Sequence, residues 1–212
     1  MKKREPNLKV EKKLWRKGYK RVVGLDEAGR GPLAGPVVAA AVLLNSKLQL
    51  KFHNLRDSKK LSSKKREEFY KIITNHPAIK WGIGIVSEKV IDKINIKNAA
   101  ELAMWRAVQK LKHQPDFLII DGNCVKNLKL KSYNLKLIVK ADEKVFSCAL
   151  ASIIAKVSRD RIMKRYHQKY RQYGFDKHKG YPTKLHQKML RKYGPCKIHR
   201  KTFRPVRACK LK

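Results

Sequence analysis

The stretch Gly24-Leu25-Asp26-Glu27-Ala28-Gly29-Arg30-Gly31-Pro32-Leu33-Ala34-Gly35-Pro36 organises the reading of this chain. Val22, Val23 and Leu25 form a short apolar run with β-strand character. The run delivers two adjacent carboxylates, Asp26 and Glu27, and then breaks into a loop with glycines at 29, 31 and 35. Carboxylates at the mouth of a strand suit a hard divalent cation such as Mg²⁺ or Mn²⁺. Arg30, set between two glycines, suits a phosphate or sugar that the backbone approaches closely. A metal beside a phosphate points to phosphodiester chemistry.

The composition narrows the partner. Lys and Arg number 53 against 16 Asp and Glu, a formal charge of +37 over 212 residues. Such a field favours polyanions, and nucleic acid is the expected partner. The four cysteines, Cys124, Cys148, Cys196 and Cys209, contain no C-x-x-C pair, which argues against a zinc knuckle and a disulfide scaffold. The most apolar run, Val37 to Leu44, is far short of a membrane span. The lysine-rich N-terminus lacks the apolar core of a signal peptide, so a cytoplasmic protein without a membrane partner is expected.

Outward from the opening stretch, Pro36 to Leu44 is continuously apolar, as in a strand buried on both faces. Ser62 is a helix N-cap ahead of Phe69, Ile72 and Ile73. Lys80 to Val86 reads as a third strand, and Asn98 to Leu111 as a helix. Phe117 to Ile120 and Leu135 to Val139 are two more strands, followed by one long or broken helix from Val145 to Tyr173. Thr183 to Lys192 is a short helix. The pattern predicts an α/β fold with a mixed sheet. Residues 1–20 are expected to form a loosely packed basic arm, 21–160 the core, and 161–212 a basic C-terminal subdomain.

The acids can be sorted one by one. Glu67, Glu68, Glu88, Asp92, Glu101 and Asp160 fall among lysines on predicted helices or their ends, where solvated pairs are the usual explanation. Asp26, Glu27, Asp121 and Asp142 differ, because each closes or follows an apolar strand. Ligands of open α/β sheets gather outside the carboxyl ends of strands, so these four predict one acidic, metal-binding cluster. One geometric condition attaches to the pair. Successive strand residues face opposite sides, so Asp26 and Glu27 share a site only if the strand ends or bulges there.

These residues carry a resemblance. Gly24 to Gly31 is similar to the signature of the bacterial ribonuclease HII family, the type 2 ribonucleases H. The similarity continues through Asp57-Ser58-Lys59-Lys60-Leu61, Ile120-Asp121-Gly122-Asn123, Ala151 to Val157 with Arg159-Asp160, His178-Lys179-Gly180-Tyr181, Tyr193-Gly194-Pro195 and Ile198-His199-Arg200. The resemblance implies a ribonuclease H-like core with a five-stranded mixed sheet flanked by helices, plus a C-terminal helical subdomain.

It also implies a metal-dependent endoribonuclease H. Such an enzyme would cleave the RNA of RNA–DNA hybrids and incise 5′ to single ribonucleotides embedded in duplex DNA, leaving 3′-hydroxyl and 5′-phosphate ends. Asp26, Glu27, Asp121 and Asp142 correspond to the family's catalytic acids around two Mg²⁺ or Mn²⁺ ions. Gly29, Arg30 and Gly31 correspond to its ribonucleotide-gripping loop, and Tyr181 to the tyrosine that packs on the neighbouring deoxyribose. A monomer is expected, and the C-terminus shows no clear peptide for a sliding clamp.

The sequence departs from the family pattern in two places. Ala141 stands where glycine is usual, and Glu143, after Asp142, competes for the fourth acidic role. Pro182 follows Tyr181 where glycine is frequent and biases the tyrosine toward extended backbone. His178, His186 and His199 lack metal-ligand spacing and are expected to make phosphate or loop contacts. Tyr166, Tyr170 and Tyr173 are expected to pack.

Overall fold

A computed structural model of the chain describes residues 5–44 and 61–209, and the Asp57-Ser58-Lys59-Lys60 block lies outside them. Five strands form one sheet: β1 (Val22–Ala28), β2 (Val37–Leu44), β3 (Ile79–Val86), β4 (Phe117–Asp121) and β5 (Asn134–Ile138), in the order β3-β2-β1-β4-β5. β1, β2 and β3 run antiparallel, whereas β4 pairs parallel to both β1 and β5. This is the mixed sheet that the sequence predicts.

Two long helices cover the sheet. Alternate residues of β2 explain how. Val37, Ala39 and Ala41 pack with Ala99, Ala103 and Ala107 of α3 (Glu88–Gln109) on one face. Ala40, Val42 and Leu44 pack with Leu150, Ile153 and Ile154 of α5 (Phe146–Lys169) on the other. Small side chains on both sides allow close approach. At Gly84 of β3 an added Cβ would run into the Ala103 carbonyl, so α3 rests directly on the strand backbone. Full burial of Leu150, Ile153 and Ile154 contributes about 1.5–3 kcal/mol each and fixes the face that α5 presents.

Helix α3 begins ten residues before its predicted start, because it consists of two helical pieces joined at Asn95. That residue has φ 64° and ψ 165°, and its side-chain oxygen accepts from the Asn98 N–H at 3.0 Å. The sequence pattern located the capped second piece and missed the first. Ser62 caps α2 (Ser63–Asn75) as expected, accepting from Lys65 N–H at 3.2 Å. Thr183 does the same for α7 (Lys184–Tyr193) through His186 N–H at 3.2 Å.

The N-terminal arm is not loosely packed. Helix α1 (Lys9–Arg16) inserts Leu14 beside Val22, Ile119 and Val145. Its Glu11 is fully buried and accepts from Ser147 N–H at 2.8 Å and Ser147 hydroxyl at 2.9 Å. Helix α5 has no capping side chain of its own at its start. A carboxylate from far back in the chain therefore satisfies the first turn of the helix that crosses the site. The short elements α4 (Leu128–Lys131), α6 (Phe175–His178) and α8 (Arg204–Ala208) complete the described chain. Helix α5 runs without interruption across residue 160, where the predicted core boundary lies. No helix among the described residues is long and apolar enough to cross a membrane.

Candidate active site

The site forms where β1 outruns its neighbour. The β1–β4 ladder ends at Leu25↔Ile120, while the β1–β2 ladder continues through Asp26↔Ala40 and Glu27↔Ala39 to Ala28↔Val38. Asp26 to Ala28 are thus paired on one edge only, and the other edge opens into a cleft. The strand neither ends nor bulges at Asp26–Glu27, contrary to the geometric condition drawn from sequence. The pleat is regular, and the two carboxylates lie on opposite faces. Both still line one cleft, with Gly29, Arg30, Asp121 and Tyr181, because no strand covers that edge.

Three of the four predicted acids converge. One carboxylate oxygen from each of Asp26, Asp121 and Asp142 lies within 4.8 Å of the others, and among the described residues this is the one such group able to hold a metal. Asp26 comes from β1 and Asp121 closes β4. Asp142 sits in a 3₁₀ turn, Ala141–Glu143, where it is fully buried. The departure at Ala141 is harmless locally, because the left-handed residue of this turn is Lys140, with φ 56°. The Ala141 N–H donates to Asp121 Oδ1 at 3.0 Å and ties the turn to β4. Glu143 stays outside the trio. So does Glu27, whose Oε1 lies 3.2 Å from Arg30 Nη1 on the other face of β1.

The charge accumulated here is visible in Asp26. Burial pushes its carboxyl well above the ordinary carboxylate range, and the charges of Glu27, Asp121 and Asp142 push the same way. A hydrogen bond from Ser152, delivered by α5, opposes the rise. The Glu27 N–H donates to Asp26 Oδ1 at 2.7 Å and orients the group. An all-oxygen, anionic donor set of this kind fits Mg²⁺ or Mn²⁺ and gives no reason to expect a soft metal.

The glycine loop lies at the cleft's edge. Gly29 has φ 101°, and an added Cβ there would strike the Arg159 side chain. Gly31 faces Tyr181, whose ring Cε1 would be 3.8 Å from a Cβ at that position. Tyr181 is 38 % exposed, enough to meet a ligand. Its backbone is held firmly. The Tyr181 carbonyl accepts from Thr183 N–H at 2.8 Å and from His186 Nδ1 at 2.9 Å.

The three histidines make loop contacts rather than phosphate contacts. His178 Nε2 donates to the Tyr173 carbonyl at 2.7 Å, and its Nδ1 accepts from Gly180 N–H at 3.2 Å. With His186 Nδ1 donating to Tyr181, its Nε2 accepts from His199 Nε2 at 3.0 Å. His199 Nδ1 in turn accepts from Cys196 N–H at 2.9 Å. Burial lowers His186 and His199 to about 4, so these rings are neutral at physiological pH. Tyr173 packs as expected, stacked on Phe175 with ring centroids 5.3 Å apart.

Sequence reasoning assigned no role to Arg159 and Arg200, the two largest fully buried side chains. Every side-chain hydrogen bond they make among the described residues goes to a backbone carbonyl of the loop or of Lys179. Among 53 cations their sequence signal was confined to the resemblance blocks that contain them.

A family model described as Ribonuclease HII matches residues 23–206. The chain belongs to the ribonuclease HII family. It is 48 % identical over 191 residues to a ribonuclease HII of Caldicellulosiruptor bescii, covering 90 % of each chain. The ribonuclease H2 of Pyrococcus horikoshii superposes with a TM-score of 0.75 at 27 % identity, covering 90 % of this chain and 97 % of that one. An Archaeoglobus fulgidus ribonuclease HII, solved in complex with PCNA, gives a TM-score of 0.71 at 27 % identity, covering 85 % of this chain and 92 % of that one. A ribonuclease HII is an endoribonuclease H and a hydrolase, and that class extends to this chain. The matched span contains the whole acid trio, the glycine loop and Tyr181.

Proposed function

We propose that this protein cleaves the RNA strand of RNA–DNA hybrids and incises on the 5′ side of single ribonucleotides embedded in duplex DNA. The observation behind this reading is that one cleft is lined by the carboxylates of Asp26 and Asp121, the Gly29-Arg30-Gly31 loop and Tyr181. Acids alone would fit many nucleases. The loop and the tyrosine beside them supply a means of sensing sugars.

Asp26, Asp121 and Asp142 hold the divalent ions, Mg²⁺ or Mn²⁺, with Glu27 contributing from the opposite face of β1. In a two-metal reading, these three acids, with Glu27 beside them, are the residues that would hold such ions. Bound there, divalent ions would supply Lewis-acid chemistry, lowering the pKa of a water and neutralising charge on the phosphodiester. Cleavage leaves 3′-hydroxyl and 5′-phosphate ends.

RNA is told from DNA by its 2′-hydroxyl. Gly29 and Gly31 serve that contact differently: Gly29 lets the loop turn tightly over Arg159, and at Gly31 no Cβ intervenes between the backbone and the hydroxyl. Arg30 keeps its guanidinium half-exposed beside Glu27 and meets a phosphate near the junction. The exposed face of Tyr181 packs on the next deoxyribose. Lys156 and Arg66 line the same cleft and neutralise flanking phosphates, positioning the duplex without reading sequence. The basic subdomain of residues 161–212 extends this contact along the duplex. All of these groups come from one chain, so a monomer suffices to form the site, in keeping with the expected cytoplasmic monomer.

A duplex carrying one ribonucleotide tests the reading when incubated with Mn²⁺, Mg²⁺ or EDTA. Metal-dependent incision on the 5′ side of the ribonucleotide is expected, with none on the all-deoxy duplex. No cleavage under any condition overturns it.

A further inference from the structure

The glycine loop is held from behind by two cations. Arg159 on α5 and Arg200 ahead of α8 are fully buried. Arg159 donates from Nε to the Pro36 carbonyl at 2.9 Å, from Nη1 to Lys179 at 2.9 Å and from Nη2 to Ala34 at 3.1 Å. Arg200 donates from Nε to Gly35 at 3.0 Å, from Nη1 to Arg30 at 2.9 Å and from Nη2 to Gly29 at 2.6 Å. Neither forms a salt bridge among the described residues. Burial lowers Arg159 to about 10 and Arg200 to about 9, so both remain charged at neutral pH.

Burying a guanidinium without a carboxylate is costly, so its donors must all find acceptors. Here the acceptors are loop carbonyls, and this has a directional consequence. In a trans peptide the carbonyl of one residue and the N–H of the next point opposite ways, and no described peptide is cis. With the Gly29 and Arg30 carbonyls turned inward onto Arg200, the N–H groups of Arg30 and Gly31 are turned outward. The residues that carry them line the cleft. Two successive outward N–H groups make a concavity suited to an oxygen. Arg159 braces the other end of the loop and, through Lys179, the turn that carries Tyr181.

We propose that Arg200 is a positioning residue for ribonucleotide selection, holding the Gly29 and Arg30 peptides so that the outward N–H groups meet the ribose 2′-hydroxyl. This rests on the reading of the loop given under Proposed function. Arginine is required because its planar fork engages three carbonyls in fixed directions, which a lysine ammonium cannot reproduce.

The test is Arg200→Lys, measured for affinity toward a single-ribonucleotide duplex and its all-deoxy counterpart with Ca²⁺. The variant should lose about ten-fold or more of the ribonucleotide preference, the scale seen when a supporting partner of a functional group is removed. All-deoxy affinity and the rise in melting temperature on adding Mn²⁺ should stay at wild-type levels. A folded variant with undiminished preference overturns this inference alone, whereas a wild type without preference overturns the parent reading as well. If Arg200→Lys does not fold, wild-type amide NMR decides. The Arg30 and Gly31 amide signals should shift with the ribonucleotide duplex and stay put with the all-deoxy one. Equal responses to the two duplexes overturn the proposal.

Discussion

The Asp26–Asp121–Asp142 cluster and the Arg159–Arg200 pair are both buried concentrations of one sign of charge, and both border the Gly29–Pro36 segment. They are resolved in opposite ways. Each arginine spreads its charge over three backbone carbonyls, so its counterpart is already in the protein. The carboxylates instead crowd one another, and burial with mutual repulsion holds Asp26 well above the usual range. Asp26 and Asp121 line the cleft, where a divalent cation can reach them, and Asp142 lies buried beside them. A buried charge spread over fixed carbonyls supports architecture, whereas like charges gathered at an open cleft mark chemistry.

The comparison can be broken on either side. The largest effect should come from the acids. Asp26→Asn or Asp121→Asn should lower incision by at least about a hundred-fold, since removing a metal ligand costs more than removing its supporting partner. Gel-shift affinity for the hybrid should be retained, and near wild-type turnover would show the cluster to be structural. On the other side, Arg200→Met leaves three carbonyls without their donors. At about 1–3 kcal/mol for each stranded group, stability should fall by at least about 3 kcal/mol in urea unfolding. A smaller loss would mean that water replaces the guanidinium readily.

The third prediction concerns pH. The Asp26 carboxyl is raised in the folded state, so between the ordinary carboxylate range and its folded value the native protein binds more protons than the unfolded chain. In chelator, this group's contribution must therefore favour folding at low pH and fade as pH rises through the folded value. Asp26→Asn should raise the melting temperature at neutral pH without metal and flatten that dependence. Mn²⁺ should stabilise the wild type and do less for the variant. The smallest effect belongs to Glu11→Gln, which weakens the surrogate cap of α5. A loss of about 1 kcal/mol in thermal denaturation is expected, with the cleavage pattern unchanged.

Much of this arrangement was legible beforehand. The apolar runs before Asp26 and Asp121 announced strands, and four acids closing or following such runs in a chain of charge +37 stood out by chemistry alone. The cleft itself was not legible. Whether β1 has an open edge at Asp26 and Glu27 depends on how far β4 extends beside it, and that is a property of pairing between distant segments. Pattern reading therefore required a break in the pleat where the sheet supplies an open edge. Glu11 was hidden for a similar reason, since its partner Ser147 is remote in sequence and a single acid among lysines reads as solvated. Arg159 and Arg200 were the hardest to see. Nothing local separates a buried arginine from the many exposed ones, and only the loop carbonyls they meet reveal their work.

The central claim is that the buried acids are a metal centre. Anomalous diffraction from crystals soaked in Mn²⁺ measures this directly. A peak ligated by the carboxylates of Asp26, Asp121 and Asp142 is the predicted result. Crystals of an active enzyme that place Mn²⁺ elsewhere, with nothing bound among these three side chains at saturation, would contradict it.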